Sequence, residues 1–142
     1  MPIEEKIKQL KQNFDSLKTW EEKYQKMIDL GKSWPGLTDE FKVEDLKVKG
    51  CQSQVWIKAE MTVDKKIIFR GDSDALLVKG LVAIVLQVYS NETPQTILQT
   101  EPTFIKEIGF DSGLSPSRSN GLYSMIKQVK YYATAFQYLL SK

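Results

Sequence analysis

The chain has 142 residues, of which 42% are hydrophobic and 27% are charged, values typical of one globular domain with a full core. With 20 Lys and Arg against 18 Asp and Glu, the net charge of +2 indicates neither a nucleic-acid nor a membrane-surface partner. One cysteine and no histidine exclude an internal disulfide, a histidine-based catalytic triad and most zinc sites.

No targeting or membrane segment is predicted. The longest apolar run, Leu81–Leu86, is far shorter than the roughly 20 residues that cross a bilayer. The N-terminal pattern MPIEEKIKQLKQNF mixes charges and has no apolar signal core. We therefore expect a cytoplasmic protein that forms a single domain over residues 1–142, with no membrane partner.

Two helices are predicted first. Apolar residues recur at alternating spacings of four and three along one helical stripe, at Ile3, Ile7, Leu10, Phe14 and Leu17. Thr19 and Glu22 stand at the capping-box distance, so a second helix should begin at Trp20. Gly31 is a natural stop for it, and residues 34–45 are predicted as a turn followed by loop or a short helical turn.

The hydrophobic period changes at Leu46, where a meander of three antiparallel strands is predicted. Leu46–Lys49 is the first strand, and alternating residues over Gln54–Val63 form the second. Asp64-Lys65 suits a tight hairpin, after which Lys66–Arg70 returns as the third strand. Residues 50–53 would then connect the first two strands at one end of the sheet.

A central buried helix is predicted over Ala75–Val88, because almost every side of this segment is apolar. Asp72 or Ser73 would cap it, and Asp74 in the first turn would suit the positive end of the helix dipole. Gly80 leaves room for a close-packed neighbour.

Three further helices follow in the prediction. Thr93-Pro94 is a cap followed by proline, which begins a short helix to Leu98, and a second covers Pro102–Ile108. Residues 109–121 are predicted as loop, and a last helix carries apolar residues on one face from Leu122 to Leu140. The fold class is therefore α+β.

Cys51 is the first candidate site residue. Free cysteines are commonly buried, so composition alone favours an inert core thiol. However, Cys51 follows Gly50 at a strand connection instead of taking an alternating core position, and loops carry function more often than sheet interiors. A reactive thiol also needs nearby positive charge or N–H donors, and Lys49 and Lys58 are near in sequence.

Arg118, within SPSRSNG, is the second candidate. An arginine among serines just before the last helix suits an anion or a partner's carboxylate. The simpler interpretation is a solvated loop arginine with a modest salt bridge. Asp72 and Asp74 need no catalytic role, because the start of a helix accounts for both.

Four segments, in order along nearly the whole chain, resemble the SufE family, which includes the CsdE branch. They are WEEKYQKMIDLGKSWP (20–35), VKGCQSQVWI (48–57), GDSDALLVKGLVAIV (71–85) and LSPSRSNGLYSMI (114–126). The resemblance implies an α+β fold with a small three-stranded antiparallel sheet packed against helices, related in shape to IscU-type scaffold proteins.

The resemblance also implies a function. SufE-like proteins take persulfide sulfur from a pyridoxal-phosphate-dependent cysteine desulfurase of the SufS or CsdA type. They stimulate that enzyme and pass the sulfur to an iron–sulfur scaffold complex of the SufBCD type. The matching sulfur acceptor here is Cys51. A lone thiol without histidine suits carrying sulfur and not holding a cluster, so neither a cofactor nor a metal is expected.

Supporting roles are implied for the neighbours of Cys51. Gly50 would give the loop freedom to move, and three polar side chains would hydrogen-bond the sulfur or the loop, namely Gln52, Ser53 and Gln54. Asp74 and Arg118 lie on matching motifs and are expected to contact the partner.

Two other function classes remain open at this stage. One is a thiol peroxidase or reductase that uses Cys51, although no motif for an electrophile pocket is visible. The other is an interaction domain whose cysteine is structural. In the sulfur-carrier interpretation the chain is not an enzyme, because the desulfurase breaks the bond. Whether it forms a homodimer is left open.

Overall fold

The computed structural model describes residues 2–110 and 113–141, and its main elements are six α-helices and a two-stranded sheet. In chain order these elements are α1 (Ile3–Asp15), α2 (Trp20–Ser33), β1 (Val55–Met61), β2 (Ile67–Ser73), α3 (Leu76–Tyr89), α4 (Pro94–Gln99), α5 (Thr103–Glu107) and α6 (Pro116–Leu140). None of the described helices combines the length and the apolar character that a membrane span requires.

Side-chain caps fix the starts of two helices as the sequence predicts. Thr19 Oγ1 accepts a hydrogen bond from the Glu22 N–H at 3.2 Å, and the Glu22 carboxylate accepts one from the Thr19 N–H at 3.1 Å. Thr93 Oγ1 likewise accepts from the Thr96 N–H at 3.2 Å. Each cap satisfies N–H groups that a first helical turn leaves without partners.

Two glycines allow α2 and α3 to pack closely. A Cβ on Gly80 would lie 2.0 Å from the carbonyl oxygen of Met27, which confirms the predicted close neighbour. A Cβ on Gly31 would lie 2.5 Å from the carbonyl oxygen of Leu76. The prediction that Gly31 ends α2 is wrong, because this glycine serves the helix contact and the helix continues to Ser33.

The sheet is smaller than predicted, although the α+β class with a small antiparallel sheet is confirmed. β1 and β2 pair antiparallel in continuous register. The first predicted strand is reduced to one bridge between Lys47 and Trp56, with the Val48 N–H donating to the Val55 carbonyl at 2.7 Å. Residues 44–46 form a 3-10 turn, so too little extended chain is left before β1 for the first predicted strand to form.

The hairpin turn lies where the sequence predicts it. The Lys65 N–H donates to the Thr62 carbonyl at 3.0 Å, and Lys65 has a φ of 65°. β1 ends at Met61, and the side chain of Val63 is 97% exposed. The prediction that this strand extends to Val63 is therefore wrong, because the turn has already begun at Thr62.

The start of α3 differs from the prediction. Asp72 and Ser73 lie in β2, and α3 begins at Leu76 without a side-chain cap. Ser73 Oγ instead accepts from the Ala75 N–H at 3.2 Å within the connection. The predicted capping role of Asp72 is wrong, because its carboxylate is used elsewhere.

Asp72 is a buried carboxylate that joins three parts of the fold. It is 6% exposed and accepts hydrogen bonds from the N–H groups of Leu37, at 2.9 Å, and Ser73, at 2.8 Å. The Nζ atoms of Lys42 and Lys79 lie 3.4 and 3.6 Å from its oxygens. These contacts stabilise the charge and tie the segment after α2 to the sheet and to α3.

We expect Asp72 to make stability depend on acid pH. Burial by itself would raise the pKa of Asp72, but the two N–H donors and the two lysines outweigh it, so the pKa lies below its usual value. The carboxylate therefore stabilises the fold above about pH 4, and this contribution is lost as the pH falls through the lowered pKa. At pH 7, Asp72→Asn should lower the free energy of unfolding by on the order of 2 kcal/mol. Its free energy of unfolding should also change less with pH in the acid range than that of wild type.

Urea unfolding of wild type and Asp72→Asn between pH 2 and 7 measures this effect. Asp64→Asn in the exposed hairpin turn is the matched control and should leave the profile unchanged. Parallel pH profiles for wild type and Asp72→Asn would contradict the assignment.

The last helix begins earlier than predicted. α6 starts at Pro116, and Ser115 Oγ accepts from the Arg118 N–H at 3.3 Å. The prediction of loop is therefore wrong for residues 116–121, which are helical, and Arg118 lies in the first turn. Residues 111–112 of the predicted loop lie outside the described residues.

Candidate functional site

Cys51 lies in the connection between the Lys47 bridge and β1, and its side chain is half-buried. Its Sγ is 3.6 Å from the carbonyl oxygen of Gly121 on α6, within reach of a thiol donor. Cys51 is the only cysteine of the chain. The connection thus places the single thiol against the N-terminal part of the longest described helix.

A cavity of about 250 Å³ opens beside this thiol. Its apolar wall is formed by α3 together with the residue that precedes it, and by α6. The residues are Ala75, Leu77, Val78, Leu81 and Met125. Its polar wall is formed by residues 50–53, which we call the cysteine loop, and by the start of α6. The residues are Gln52, Ser53, Ser115, Ser117 and Arg118. The predicted residues Cys51, Gln52, Ser53 and Arg118 therefore line one cavity, although Arg118 is 67 positions from Cys51 in the sequence.

Gly50 has a backbone conformation that disfavours other residues. Its φ is +91°, in the left-handed region, and a Cβ there would lie 2.7 Å from Ser124 Oγ. Glycine adopts this conformation without steric penalty. The residue before Cys51 therefore lets the loop turn tightly against α6.

Gln54 and Asp74 fix the far end of the cysteine loop. The Gln54 N–H donates to Asp74 Oδ1 at 3.0 Å, and Gln54 Nε2 donates to Oδ2 at 3.3 Å. The Asp74 N–H in turn donates to the Gln54 carbonyl at 3.3 Å. Asp74 thus anchors the strand end instead of lying in the first turn of α3, and neither residue lines the cavity.

The electrostatics leave the resting thiol unactivated. Burial raises the pKa of the Cys51 thiol. Lys58, a neighbour in sequence, pairs with Glu60 and lies over the Phe41 ring at 4.5 Å. Arg118 is exposed on the cavity wall, and no carboxylate of the described residues forms a salt bridge with it. At neutral pH the resting Cys51 is therefore mainly a protonated thiol.

Several residues around Cys51 were not predicted from the sequence. Gly121 and Ser124 of α6 contact the cysteine loop, and Leu77 and Val78 of α3 line the cavity. The only sequence signal for them is that two of the segments resembling the SufE family contain them. Within residues 2–110 and 113–141, no group of three or more metal-binding side chains is present.

Comparison with known proteins adds two findings. A family model described as "SufE: Fe-S metabolism associated domain" matches residues 8–133. The fold is similar to the solution structure of a hypothetical protein from Thermus thermophilus, with a TM-score of 0.74 and 20% sequence identity. That alignment covers 93% of this chain and 96% of the other. At this identity the likeness establishes a shared fold.

Proposed function

The chain belongs to the SufE family, which is associated with iron–sulfur metabolism, and from this premise we propose that it is a sulfur acceptor and carrier. It takes persulfide sulfur from a cysteine desulfurase onto Cys51, stimulates that enzyme, and passes the sulfur to an iron–sulfur scaffold complex. The observation that carries the proposal is the position of the single thiol, half-buried beside a cavity with a guanidinium on its wall.

Sulfur transfer onto Cys51 is an exchange between two sulfur atoms. The Cys51 thiolate attacks the outer sulfur of the desulfurase persulfide, a new S–S bond forms, and the donor's S–S bond breaks. The donor cysteine leaves as a thiolate and takes up the proton that Cys51 loses, so no external oxidant or reductant is needed. Because burial raises the pKa of Cys51, we propose that its proton is lost in the complex with the partner.

The other parts of the proposal follow from this role. The chain acts as a single cytoplasmic SufE-like domain over residues 1–142, without a cofactor of its own. It is a non-catalytic accessory protein, because the pyridoxal-phosphate enzyme cleaves the carbon–sulfur bond. Its partners are proteins, the desulfurase (SufS or CsdA type) and the scaffold (SufBCD type).

Arg118 is proposed as a contact with the desulfurase. Its exposed position at the cavity edge suits a carboxylate or persulfide anion of the partner. Arg118→Ala should raise the concentration of the chain needed for half-maximal desulfurase stimulation by about tenfold, the loss of one good interface contact. Lys106→Ala, an exposed cation on α5, is the matched control. An unchanged half-maximal concentration for Arg118→Ala would remove Arg118 from the interface.

Asp74 is proposed as a second contact, for which the same titration with Asp74→Asn is the test.

Gly50 is proposed as the hinge of the cysteine loop. Gly50→Val places a branched side chain at a φ of +91° and against Ser124, so sulfur acceptance should fall by about tenfold or more. Gly109→Val is the control, because Gly109 also has a positive φ but its Cβ would meet only the flexible end of Lys23. Sulfur acceptance by Gly50→Val equal to that of the control would show that the hinge idea is wrong.

The experiment that separates this proposal from a thiol-redox enzyme compares two activities of one preparation. A sulfur carrier accelerates cysteine turnover by the desulfurase and leaves peroxide untouched, whereas a one-cysteine peroxidase consumes peroxide without the desulfurase. Peroxide turnover without any effect on the desulfurase would replace the proposal by the redox function. Inactivity in both assays would favour an interaction domain with a structural cysteine.

A further inference from the structure

The carbonyl group of Gly121 contacts the thiol of Cys51 directly. The Sγ···O distance is 3.6 Å, a hydrogen-bonding separation for a sulfur donor, whose atomic radius exceeds that of nitrogen or oxygen. It is the one hydrogen bond of this thiol within the described residues. Gly121 is buried, and even a Cβ there would lie 3.5 Å from Sγ, an ordinary van der Waals contact, so the helix backbone and the sulfur pack together without crowding.

This contact depends on the chemical state of the sulfur. A backbone carbonyl only accepts hydrogen bonds, so Sγ must carry a hydrogen to be held by it. When Cys51 carries a second sulfur, Sγ is bonded to Cβ and to that sulfur and has no hydrogen. The outer sulfur lies about 2.05 Å beyond Sγ and cannot occupy the same position. Loading therefore removes the donor and leaves the carbonyl lone pair facing sulfur.

From this dependence we propose that the Gly121 carbonyl is a positioning group that holds the empty Cys51 inward and releases it when the cysteine is loaded. The inference rests on the proposed sulfur-carrier function. The empty carrier is then the closed form, which its sulfur donor must open. The loaded carrier is the looser form, which presents its sulfur for onward transfer.

The surrounding contacts confine this release to the cysteine loop. On one side Gly50 packs against Ser124, and on the other Gln54 is anchored by two hydrogen bonds to the Asp74 carboxylate. Loss of the thiol bond therefore loosens residues 50–53 and leaves β1 in place. A thiol is a weak donor, so loss of its hydrogen bond corresponds to a roughly twofold to fivefold increase in the open population.

Tryptic cleavage after Lys49 measures this population, because Lys49 is exposed and adjoins the loop. The initial rate is normalised to cleavage after Lys65 in the exposed hairpin turn, an internal control remote from the loop. Four forms are compared: reduced wild type, wild type treated with methyl methanethiosulfonate, Cys51→Ala and Cys51→Ser. The reagent gives Cys51–S–S–CH₃, which has no hydrogen on Sγ.

We expect roughly twofold to fivefold faster cleavage in the methylthio form and in Cys51→Ala. Cys51→Ser keeps a hydroxyl donor on a shorter bond to Cβ, so its cleavage rate should lie between those of reduced wild type and Cys51→Ala. Equal rates for the reduced and methylthio forms would overturn the inference, and so would equal rates for Cys51→Ser and Cys51→Ala. Acceleration in the methylthio form without acceleration in Cys51→Ala would also overturn it, because added bulk would then be the cause. Sulfur loading of wild type by a desulfurase is measured separately, so either result leaves the proposed function to its own test.

Discussion

Cys51→Ser should neither accept sulfur nor stimulate the desulfurase. A serine hydroxyl is ionised far less than a thiol at neutral pH and does not form a stable bond to sulfane sulfur. Because the chain has no second cysteine, nothing else can take over the transfer. The stimulated rate of cysteine turnover should fall to that of the desulfurase alone, measured as sulfide or alanine released over time.

A binding control separates loss of chemistry from loss of folding. Cys51→Ser keeps the loop, Arg118 and the Gln54–Asp74 anchor, so it should still bind the desulfurase and inhibit stimulation by wild type. Full stimulation by Cys51→Ser would contradict the assigned role of Cys51.

Gly80→Ala should strongly destabilise the fold, although alanine is the better helix former. The new Cβ would lie 2.0 Å from the carbonyl oxygen of Met27, where backbone atoms must move and α2 must separate from α3. Because backbone atoms must move, the cost of this overpacking should lie near the upper end of the usual range, about 3 kcal/mol, against a gain of about 1 kcal/mol in helix propensity. The expected net loss is about 2 kcal/mol, which lowers Tm by roughly 4–8 °C for a chain of this size.

Gly121→Ala is the matched control for that measurement. Gly121 is also a buried glycine within a helix, but its Cβ would lie no closer than 3.5 Å to its nearest neighbour, Cys51 Sγ. The free energy of unfolding of Gly121→Ala should therefore equal that of wild type or exceed it by up to about 1 kcal/mol. If thermal or urea unfolding gave the same stability change for both variants, the close contact of α2 with α3 would not explain Gly80.

Local signals in the sequence predicted most of the helices correctly. The Thr19 capping box and the Thr93-Pro94 pair each act within one turn, so their meaning does not depend on the rest of the fold. Ser115-Pro116 is the same signal as Thr93-Pro94, and it caps α6. The serines and glycines around it are also typical of loops, and the loop prediction for residues 109–121 places Arg118 before the helix instead of inside it.

The remaining errors concern residues whose role depends on distant contacts. A glycine that ends a helix and one that admits a neighbouring backbone look alike in sequence, which explains Gly31. Asp72 has the spacing of a helix cap, but its partners Leu37 and Lys42 lie 35 and 30 positions away in the sequence. The same limit applies to the site, because Cys51 and Gly121 come together only through the packing of the cysteine loop on α6.

The most direct test of the central claim is the mass of the intact chain after incubation with a cysteine desulfurase and free cysteine, recorded without reductant. We predict that wild type gains the mass of one or more sulfur atoms, that peptide mapping places the addition on Cys51, and that reductant removes it. An unchanged mass for wild type, with a desulfurase that turns over cysteine and binds the chain, would contradict the proposal that this protein carries sulfur.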